Sequence, residues 1–329
     1  MEIQDGAELC FPQLLNTSCR KPTPHQFEAV LLHIVMSSIS VLIVVLNLLV
    51  IISVSHFRQL HTPTNILLLS LAVSDFLVGF VLLPGEIYLQ TQCWLLGYMM
   101  CCLLYYVSGI VFSTSVGNMV LISIDRYVAI CHPLHYPTRI TATKAKLYAS
   151  MCWFCSIFYI SVAFQDVLNQ PDINNSCDGE CILDISPIAL VSDLVLTFIT
   201  PVTAIILLYM RIFVVAVSQA HAMRSHTAAV THQHSVTLST RKSELKAART
   251  LGVIVIVFLI CLCPYYCASL AGASTYSVNL TSIMFFFNSC LNPLIYALFY
   301  PWFRKALPLS WGLGDKPSTA IPGSFLYWL

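Results

Sequence analysis

The sequence predicts an all-α membrane protein, a bundle of seven transmembrane helices, and three observations carry this prediction. The chain is 57% hydrophobic and only 9% charged, with a mean hydropathy of +0.79, whereas soluble domains carry about 25% charged residues. It contains seven long apolar runs, and its basic residues fall on alternate sides of them. The net charge of +1 offers no basic surface for nucleic acid.

The apolar runs are long enough to cross, as helices, a hydrocarbon layer about 30 Å thick, and far too long for barrel strands. Within lipid only these two structures satisfy the backbone polar groups. The predicted helices span residues 29–55, 63–89, 97–124, 146–166, 187–217, 248–272 and 278–299. They leave an outer segment over 1–28, a membrane domain over 29–299 and a tail over 300–329 that opens with a short amphipathic helix.

The basic residues predict the orientation of the bundle. All but two of the 16 Lys and Arg lie at alternate loops or in the tail, and the exceptions, Arg20 and Lys21, precede the first helix. Because basic loops stay cytoplasmic, the N-terminus is predicted to lie outside. Three N-x-S/T sequons, at Asn16, Asn174 and Asn279, then fall in outer segments, where we expect glycosylation.

The 14 cysteines divide into two groups. Six lie at or near the oxidising outer face, where disulfides can form: Cys10, Cys19, Cys93, Cys101, Cys177 and Cys181. Those within helices are predicted to be small packing residues, and no zinc-site spacing is present. The histidine-bearing stretch HAMRSHTAAVTHQH, in the third inner loop, is interpreted as solvated polypeptide rather than a metal tract.

Few ionisable residues interrupt the apolar runs, and such residues in membrane proteins usually face the bundle interior and serve function. Asp75 lies in helix two and Asp193 in helix five. Asp125 and Arg126 lie at the inner end of helix three, and Glu244 opens the amphipathic start of helix six.

Several motifs resemble rhodopsin-class G-protein-coupled receptors: SIDRYVAICHPLHY after helix three, FLICLCPYY in helix six and NPLIY in helix seven. One residue from each helix matches the class, namely Asn47, Asp75, Arg126, Trp153, Pro201, Pro264 and Pro293. The stretch NSCLNPLIYALFYPWF, residues 288–303, resembles the fingerprint of trace amine-associated receptors, NS-x-x-NP-x-x-Y-x-x-x-Y-x-WF, and meets every fixed position. The chain is therefore similar to a trace amine-associated receptor.

The resemblance implies two disulfides that hold an outer lid over the bundle. Cys101, which lies 25 residues before Arg126, would pair with Cys181, and Cys19 would pair with Cys177. Both bridges would limit the freedom of the outer loops. The partners of Cys10, Cys93 and Cys102 stay open, and Cys102 competes with its neighbour for the first bridge.

The resemblance also implies an activation switch at the inner face. Arg126 would pair with Glu244 in the inactive state and separate from it when helix six swings out to admit a G protein. The other residues of the predicted switch are Asp125, Tyr127, Pro264, Asn292, Pro293 and Tyr296.

A sodium pocket is implied as well, and sodium is the one metal or cofactor we expect. Its residues would be Asp75, Ser115, Asn288 and Asn292, whose oxygen atoms suit a hard cation. The alternative interpretation of Asp75 is a satisfied polar network in the bundle core.

The ligand site departs from the usual pattern of amine receptors, which place an Asp on helix three 18 residues before the Arg of the DRY motif. Here that residue is Ser108, which cannot form an ion pair with an ammonium. Asp193 instead lies eight residues before Pro201, or two turns outward at 3.6 residues per turn. This combination resembles a non-classical branch of the trace amine receptors, typical of bony fish. The implied pose is inverted, with the ammonium on Asp193 and the organic body toward helices three, six and seven.

The chemistry of a buried carboxylate agrees with that pose, because an ammonium brings both an opposite charge and hydrogen-bond donors. The remaining predicted pocket residues are Ser108, Gly109, Phe112, Tyr265, Tyr266 and Phe286, the aromatic members of which could hold a cation over their rings. In the alternative interpretation Asp193 pairs internally with Tyr or Ser groups, and the receptor binds a non-amine ligand. Leu262 stands where the class mostly has Trp, which puts the usual aromatic toggle in doubt.

The sequence thus predicts a chemosensory receptor for amines in the plasma membrane. It shows no nucleophile–base arrangement, metal motif or phosphate loop of an enzyme, and no internal repeat of the kind transporters often have, which leaves a transporter as the remote alternative. The resemblance implies a heterotrimeric G protein of the stimulatory or olfactory type, cyclic AMP output and a location in olfactory cilia. A diamine would need a second acidic acceptor; Glu86, Asp166 and Asp184 are candidates, and no spacing chooses between them.

Overall fold

The computed structural model describes residues 9–14, 17–20, 26–165, 167, 177–183, 186–227, 252–253, 255–268, 270–271 and 275–299. Regular structure in these residues is helical, apart from two isolated β-bridges near the outer end. Five helices are long and apolar enough to cross a membrane, and a shorter apolar helix covers Val255–Ala268. The predicted all-α bundle is therefore confirmed.

Seven long helices follow the seven predicted runs. They are α1 (Gln26–His56), α2 (Pro63–Thr91), α3 (Gly97–Cys131), α4 (Ala142–Ala163), α5 (Pro187–Thr227), α6 (described over 252–253 and 255–268) and α7 (Thr275–Phe299). Short helical turns at Arg58–Leu60 and Tyr136–Arg139 occupy the first two inner loops. Hydropathy ended helix three at residue 124 and began helix four at 146, and both limits are wrong because helices continue past the charged residues at which an apolar run stops.

Hydroxyl caps fix where three helices begin. Thr62, Thr141 and Ser186 each accept a hydrogen bond from a backbone N–H in the first turn of α2, α4 and α5. Proline follows the cap in α2 and α5, where its missing N–H costs nothing.

Helices α2 and α5 each contain one widened π-helical segment, at Val78–Leu82 and Leu194–Ile199. Hydroxyl groups satisfy carbonyls there: Ser40 Oγ donates to the Gly79 oxygen at 2.7 Å, and Thr197 Oγ1 donates to the Asp193 oxygen at 2.6 Å. The segment in α5 lies between Asp193 and Pro201. The sequence analysis placed Asp193 two regular α-helical turns outward of Pro201. This count is wrong, because a π turn contains more residues per turn than an α-helical one and closes its hydrogen bonds from i to i+5.

The core of the bundle surrounds α3, which packs against α2, α4 and α5. Its largest fully buried side chains near the inner half include Leu68, Leu71, Met119, Ile122 and Ile205. Large apolar side chains such as Phe154 and Phe158 are more than 70% exposed on the outside of α4, as expected of a surface that faces lipid. Because lipid is as apolar as the core, close packing through small residues holds such helices together.

The contact of α3 with α4 depends on two glycines. A Cβ atom at Gly109 would lie 2.9 Å from Ile160 Cδ1, and one at Gly117 would lie 2.4 Å from Cys152 Sγ. Gly109, predicted to line the ligand pocket, therefore faces α4 instead. Its role is to admit the neighbouring helix, which a sequence without contact information could not show.

Replacing Gly117 with Ala should lower the stability of the bundle by about 1–3 kcal/mol, because the added methyl overpacks the α3–α4 contact. Thermal unfolding of the detergent-solubilised protein should show a lower Tm, and the second change Cys152→Ala should restore most of the loss. Gly252→Ala is the matched control, since its Cβ would meet only Tyr209 Cε1 at 3.5 Å. Equal shifts for Gly117→Ala and Gly252→Ala would contradict the assigned contact.

Candidate functional site

Asp193 lies at the outer side of the π segment of α5 and is partly buried between α5 and α6. Its Oδ1 lies 2.9 Å from Thr197 Oγ1, whose single proton it shares with the Asp193 backbone oxygen, and its Oδ2 accepts a hydrogen bond from the Tyr266 hydroxyl at 3.4 Å. The hydroxyls of Thr197 and Tyr266 are themselves 2.9 Å apart. The carboxylate therefore joins the outer ends of α5 and α6 through two neutral groups.

The charge of Asp193 has no cationic partner among the residues that the structure describes, where the single ion pair is Arg126 with Asp125. Hydroxyl donors stabilise a carboxylate but do not neutralise it, and a desolvated charge is costly until it is paired. The geometry thus contains the tyrosine contact that a packing role requires, and among the described residues it leaves the charge of Asp193 without a counter-ion.

Aromatic rings from α5 and α6 surround the carboxylate. Phe198 stacks on Tyr266 with ring centroids 4.4 Å apart, and Tyr265 meets Tyr266 edge-on at 5.5 Å. Phe198 and Thr197 were missed by the sequence analysis. Thr197 lies four residues after Asp193, so even an α-helical count places it on the same face, whereas Phe198 lies five residues after Asp193 and needs the π segment to reach that face. Such rings offer their negative faces to a cation.

The aromatic surface continues across the bundle to α7 and α3. Phe285 lies 5.5 Å from Tyr265 and 4.4 Å from Phe112, centroid to centroid. Its neighbour Phe286, predicted to line the pocket, is only 7% exposed and packs in the core against α1 and α2, touching Phe112 at 5.9 Å. The wall residue of α7 is therefore Phe285, one position earlier than predicted.

Ser108 lies on α3 with its hydroxyl donating to the Leu104 carbonyl at 2.8 Å. That local bond uses the one proton of the hydroxyl within its own helix. The structure shows no contact between Ser108 and Asp193, in keeping with the expectation that α3 provides no ionic anchor here.

A cavity lies beneath the aromatic surface, and Leu262 lines it in place of the usual Trp. The other residues that line it are Phe112, Ser115, Val116, Phe258, Phe285, Asn288 and Ser289. Its lining thus combines aromatic side chains of the surface described above with polar side chains of the buried layer around Asn288.

That polar layer brings the four predicted sodium residues together. Asp75 Oδ2 accepts from Asn292 Nδ2 at 2.8 Å, and Ser289 is a further hydrogen-bond partner of Asp75. Ser115 Oγ donates to Ser74 Oγ at 2.9 Å, one residue from Asp75. Asp75 Oδ1, Asn288 Oδ1 and Asn292 Oδ1 are buried without a hydrogen-bond partner. Unpartnered acceptor oxygens around one carboxylate are the donor set a hard cation takes, so the residues fit sodium.

The inner switch is built around Asp125, which is 2% exposed. Its Oδ2 accepts from Thr64 Oγ1 at 2.8 Å and from Arg126 Nε at 3.0 Å, and its Oδ1 accepts from the Tyr136 hydroxyl at 2.9 Å. Burial, and then the charge of Asp125, raises the pKa of Tyr136 to about 12, so this hydroxyl stays a donor. The cluster ties α3 to α2 and to the second inner loop.

The remaining switch residues are only partly described. Tyr127 packs with Ile130 and Ile212, which links α3 to α5. Pro293 lies inside α7, and Pro264 lies in α6. Glu244 lies outside the described residues, as does the side chain of Tyr296, so the Arg126–Glu244 pair stays a prediction.

Three disulfides tie the outer lid together: Cys10–Cys93, Cys19–Cys177 and Cys101–Cys181. Two are the pairs that the resemblance implied, and the first resolves an alternative the sequence left open. Cys102 is free and buried. Backbone hydrogen bonds reinforce the lid, among them Cys19 N to the Asp178 oxygen and Trp94 N to the Gly179 oxygen, both 2.9 Å.

The predicted glycosylation sites are not placed by the structure. Asn16 and Asn174 lie outside the described residues. Asn279 lies within α7 near its outer end, and its side chain also lies outside the description.

Comparisons with known proteins agree with this architecture. The profile of the seven-transmembrane receptors of the rhodopsin family matches residues 46–296. Trace amine-associated receptor 13c of Danio rerio is 37% identical over 317 residues, which cover 93% of this chain and 92% of the relative. Receptor 6 of Pan troglodytes is 37% identical over 316 residues, and receptor 8a of Rattus norvegicus 35% over 321. The chain therefore belongs to the trace amine-associated receptors of the rhodopsin family, which are receptors rather than enzymes or transporters.

Opening the Cys10–Cys93 bridge should destabilise the folded receptor, because the bridge closes a segment 83 residues long. The double change Cys10→Ser/Cys93→Ser should cost about 2–4 kcal/mol and lower the Tm of the detergent-solubilised protein. Cys155→Ala is the control and should leave the Tm nearly unchanged, because that thiol is free and exposed. An equal loss in the control, or peptide mapping that pairs Cys102 with Cys181, would refute this connectivity.

Proposed function

We propose that this receptor detects amines in its outer pocket, with the ligand ammonium bound to Asp193 of α5. The observation that carries the proposal is a partly buried carboxylate with two neutral hydroxyl partners, no described cationic partner and an aromatic surround. Relatives named for trace amines support the ligand class. Ser108 in place of the helix-three Asp leaves α5 as the ionic anchor.

The neighbouring groups would position the ammonium. Thr197 and Tyr266 each occupy one carboxylate oxygen, which fixes the plane of the acid and leaves further lone pairs for N–H donors. The faces of Phe198 and Tyr266 add a cation–π contribution of about 0.5–2 kcal/mol. The organic body would then run along Tyr265 toward Phe285 and Phe112.

A second candidate function is a receptor for a non-amine ligand, in which Asp193 only fastens α5 to α6. The Tyr266 and Thr197 contacts are the observation that favours it, since they already give the acid hydrogen-bond partners. These hydroxyl contacts do not supply an opposite charge, however. A partly buried carboxylate charge remains costly without a counter-ion, and this cost favours a cationic ligand.

The proposal extends to the signalling partner and the place of action. A heterotrimeric G protein of the stimulatory or olfactory type would bind the inner face, raise cyclic AMP, and operate in the plasma membrane of olfactory cilia. The basic inner loops and the family membership support this part. Ligand binding acts by its higher affinity for the active conformation.

The amine test compares three variants in cells that report cyclic AMP, against primary to quaternary amines, with surface expression measured for each. Asp193→Asn should lower amine potency by about 100-fold or more, because it removes the charge and keeps the shape. Tyr266→Phe and Thr197→Val are matched controls that remove a donor and keep the charge, and they should cost about tenfold or less. If all three variants lose potency alike, or if Asp193→Asn responds as the wild type does, the carboxylate is structural.

We also propose that sodium binds among Asp75, Ser115, Asn288 and Asn292, where three unpartnered oxygens gather. Sodium would hold this layer together and stabilise the conformation that binds it, by linkage. Potassium at equal ionic strength should therefore give a lower Tm than sodium. Asp75→Asn should remove the difference. Ser53→Ala should keep it, because Ser53 is not one of these four residues and its buried hydroxyl has no hydrogen-bond partner in the described structure. A sodium effect that survives in Asp75→Asn would place the ion elsewhere.

A further inference from the structure

A strip of exposed side chains runs along the outside of α4 and has Lys144 at its inner end. The strip is 42–73% exposed and consists of Tyr148, Met151, Phe158 and Val162. At about 100° per residue, these side chains lie within about 40° of Lys144 around the helix axis. Large exposed apolar side chains on a membrane-spanning helix face lipid. Lys144, itself exposed, therefore lies where the lipid-facing surface of α4 meets the inner aqueous side.

Arg139 lies beside Lys144. The Lys144 Nζ atom donates a hydrogen bond to the Arg139 backbone oxygen at 3.1 Å. Arg139 is the last residue of the short helix Tyr136–Arg139 in the second inner loop, and it is also exposed. The bond fixes the end of this loop helix against the first turn of α4. Two cationic residues are therefore held together at the edge of the lipid-facing surface.

No acid balances these two cations in the described part of the chain. The sequence has neither Asp nor Glu between Asp125 and Asp166, and the first turn of α4 contains none. Asp125 is buried and forms its ion pair with Arg126. The first turn of a helix also carries partial positive charge, which makes a lysine there unfavourable until an anion approaches. An added anion would therefore stabilise the inner end of α4.

The direction of Lys144 indicates where that anion lies. The buried side chains of α4, such as Ala149 and Ile160, lie on the opposite side of the helix. Lys144 therefore faces the headgroups of the cytoplasmic leaflet and not the interior of the bundle. That leaflet contains anionic lipids, which attract basic residues next to a membrane-spanning helix.

A phosphate suits two neighbouring cations of different kinds. A phosphate monoester carries about −1.5 to −2 charges near neutral pH and has three acceptor oxygens, so it can bind a guanidinium and an ammonium together. Inositol lipids phosphorylated on the ring present such groups at the cytoplasmic surface. We propose that Arg139 and Lys144 form a binding site for the ring phosphates of an inositol phospholipid. The site does not depend on which ligand occupies the outer pocket.

The short loop helix links this lipid site to the inner switch. Tyr136, at its other end, donates its hydroxyl to Asp125 Oδ1 at 2.9 Å. The Ile140 N–H donates to the Tyr136 backbone oxygen at 2.9 Å, which keeps the turn closed. A lipid bound to Arg139 holds this helix in place and, with it, the contact between Tyr136 and Asp125. The lipid therefore stabilises the described conformation of the second inner loop.

The test uses the full-length receptor in phosphatidylcholine nanodiscs, with fluorescent dioctanoyl phosphatidylinositol bisphosphate as the probe and no amine present. Fluorescence anisotropy gives the affinity of the probe, and receptor-free nanodiscs give the background. The variants are Arg139→Gln, Lys144→Gln, the double variant and Lys144→Arg. Lys146→Gln is the matched control, because Lys146 is also an exposed lysine of α4 but lies on the other side of the helix.

Arg139→Gln and Lys144→Gln should each lower the affinity about fivefold, and the double variant about 25-fold, since each basic residue contributes about 1 kcal/mol at an anionic membrane surface. Lys144→Arg keeps the charge, and both it and Lys146→Gln should stay within about twofold of the wild type. The probe should raise the Tm of the wild type, as a ligand of the folded state does, and leave that of the double variant unchanged.

Unchanged affinity in the double variant would overturn the inference. So would equal losses in Lys144→Gln and Lys146→Gln, which would show only a general attraction of anions to the basic loops. Two competitors test the source of the phosphate, and both should be weaker than the inositol lipid. Equal competition by phosphatidylserine at the same total charge, or by water-soluble inositol trisphosphate, would contradict an inositol-lipid site.

Discussion

The desolvation of carboxylates inside a lipid-embedded bundle is the constraint on which the rest of this structure depends. Three of the acids within the described helices, one each in α2, α3 and α5, are held by a side chain of another helix. Asp75 of α2 binds Asn292 of α7, Asp125 of α3 binds Thr64 of α2, and Asp193 of α5 binds Tyr266 of α6. Where lipid provides no hydrophobic driving force between helices, such contacts help to choose which helices become neighbours.

These three acids differ in how completely they are neutralised, and the difference agrees with the roles proposed for them. Asp125 already has Arg126 as a cation, together with two hydroxyl donors. Asp75 has amide and hydroxyl partners and one unpartnered oxygen, which the proposed sodium ion would bind. Asp193 has only hydroxyl partners and lies at the outer end beside aromatic rings. Asp193, which no described cation pairs, is thus the acid proposed to bind an organic cation.

Much of this arrangement could be predicted from the sequence, because it follows from composition and from residues with few alternatives. Hydropathy gave the seven helices, and the rarity of acids in apolar runs singled out Asp75 and Asp193. The errors have a common cause in the π segments and the glycine contacts. An α-helical count cannot place Phe198 against Tyr266, and it cannot show that Gly109 faces Ile160.

The outer lid shows a second limit of sequence reasoning. The resemblance implied the pairs Cys19–Cys177 and Cys101–Cys181, both of which the structure contains. The Cys10–Cys93 pair could be predicted only with knowledge of the path that the N-terminal segment takes. This segment runs beside the outer loop, where a Cβ atom at Gly179 would lie 2.7 Å from Cys10 Cβ. Pairing of cysteines depends on tertiary proximity, and spacing along the chain does not report it.

An anchor on α5 also changes how ligand binding would reach α6. Tyr266 shares the Asp193 carboxylate with Thr197, and it follows Tyr265 and Pro264 on the helix whose movement the class uses for activation. An ammonium at Asp193 would occupy the remaining lone pairs of the carboxylate that the Tyr266 hydroxyl also binds. Binding would then alter an α5–α6 contact directly, in a chain where Leu262 replaces the Trp that usually links the pocket floor to α6. This chain differs from most amine receptors in two ways: the acid lies on α5 instead of α3, and Leu262 replaces the Trp of α6. The two differences are consistent with one another, since a ligand held between α5 and α6 would have less need of a separate aromatic switch.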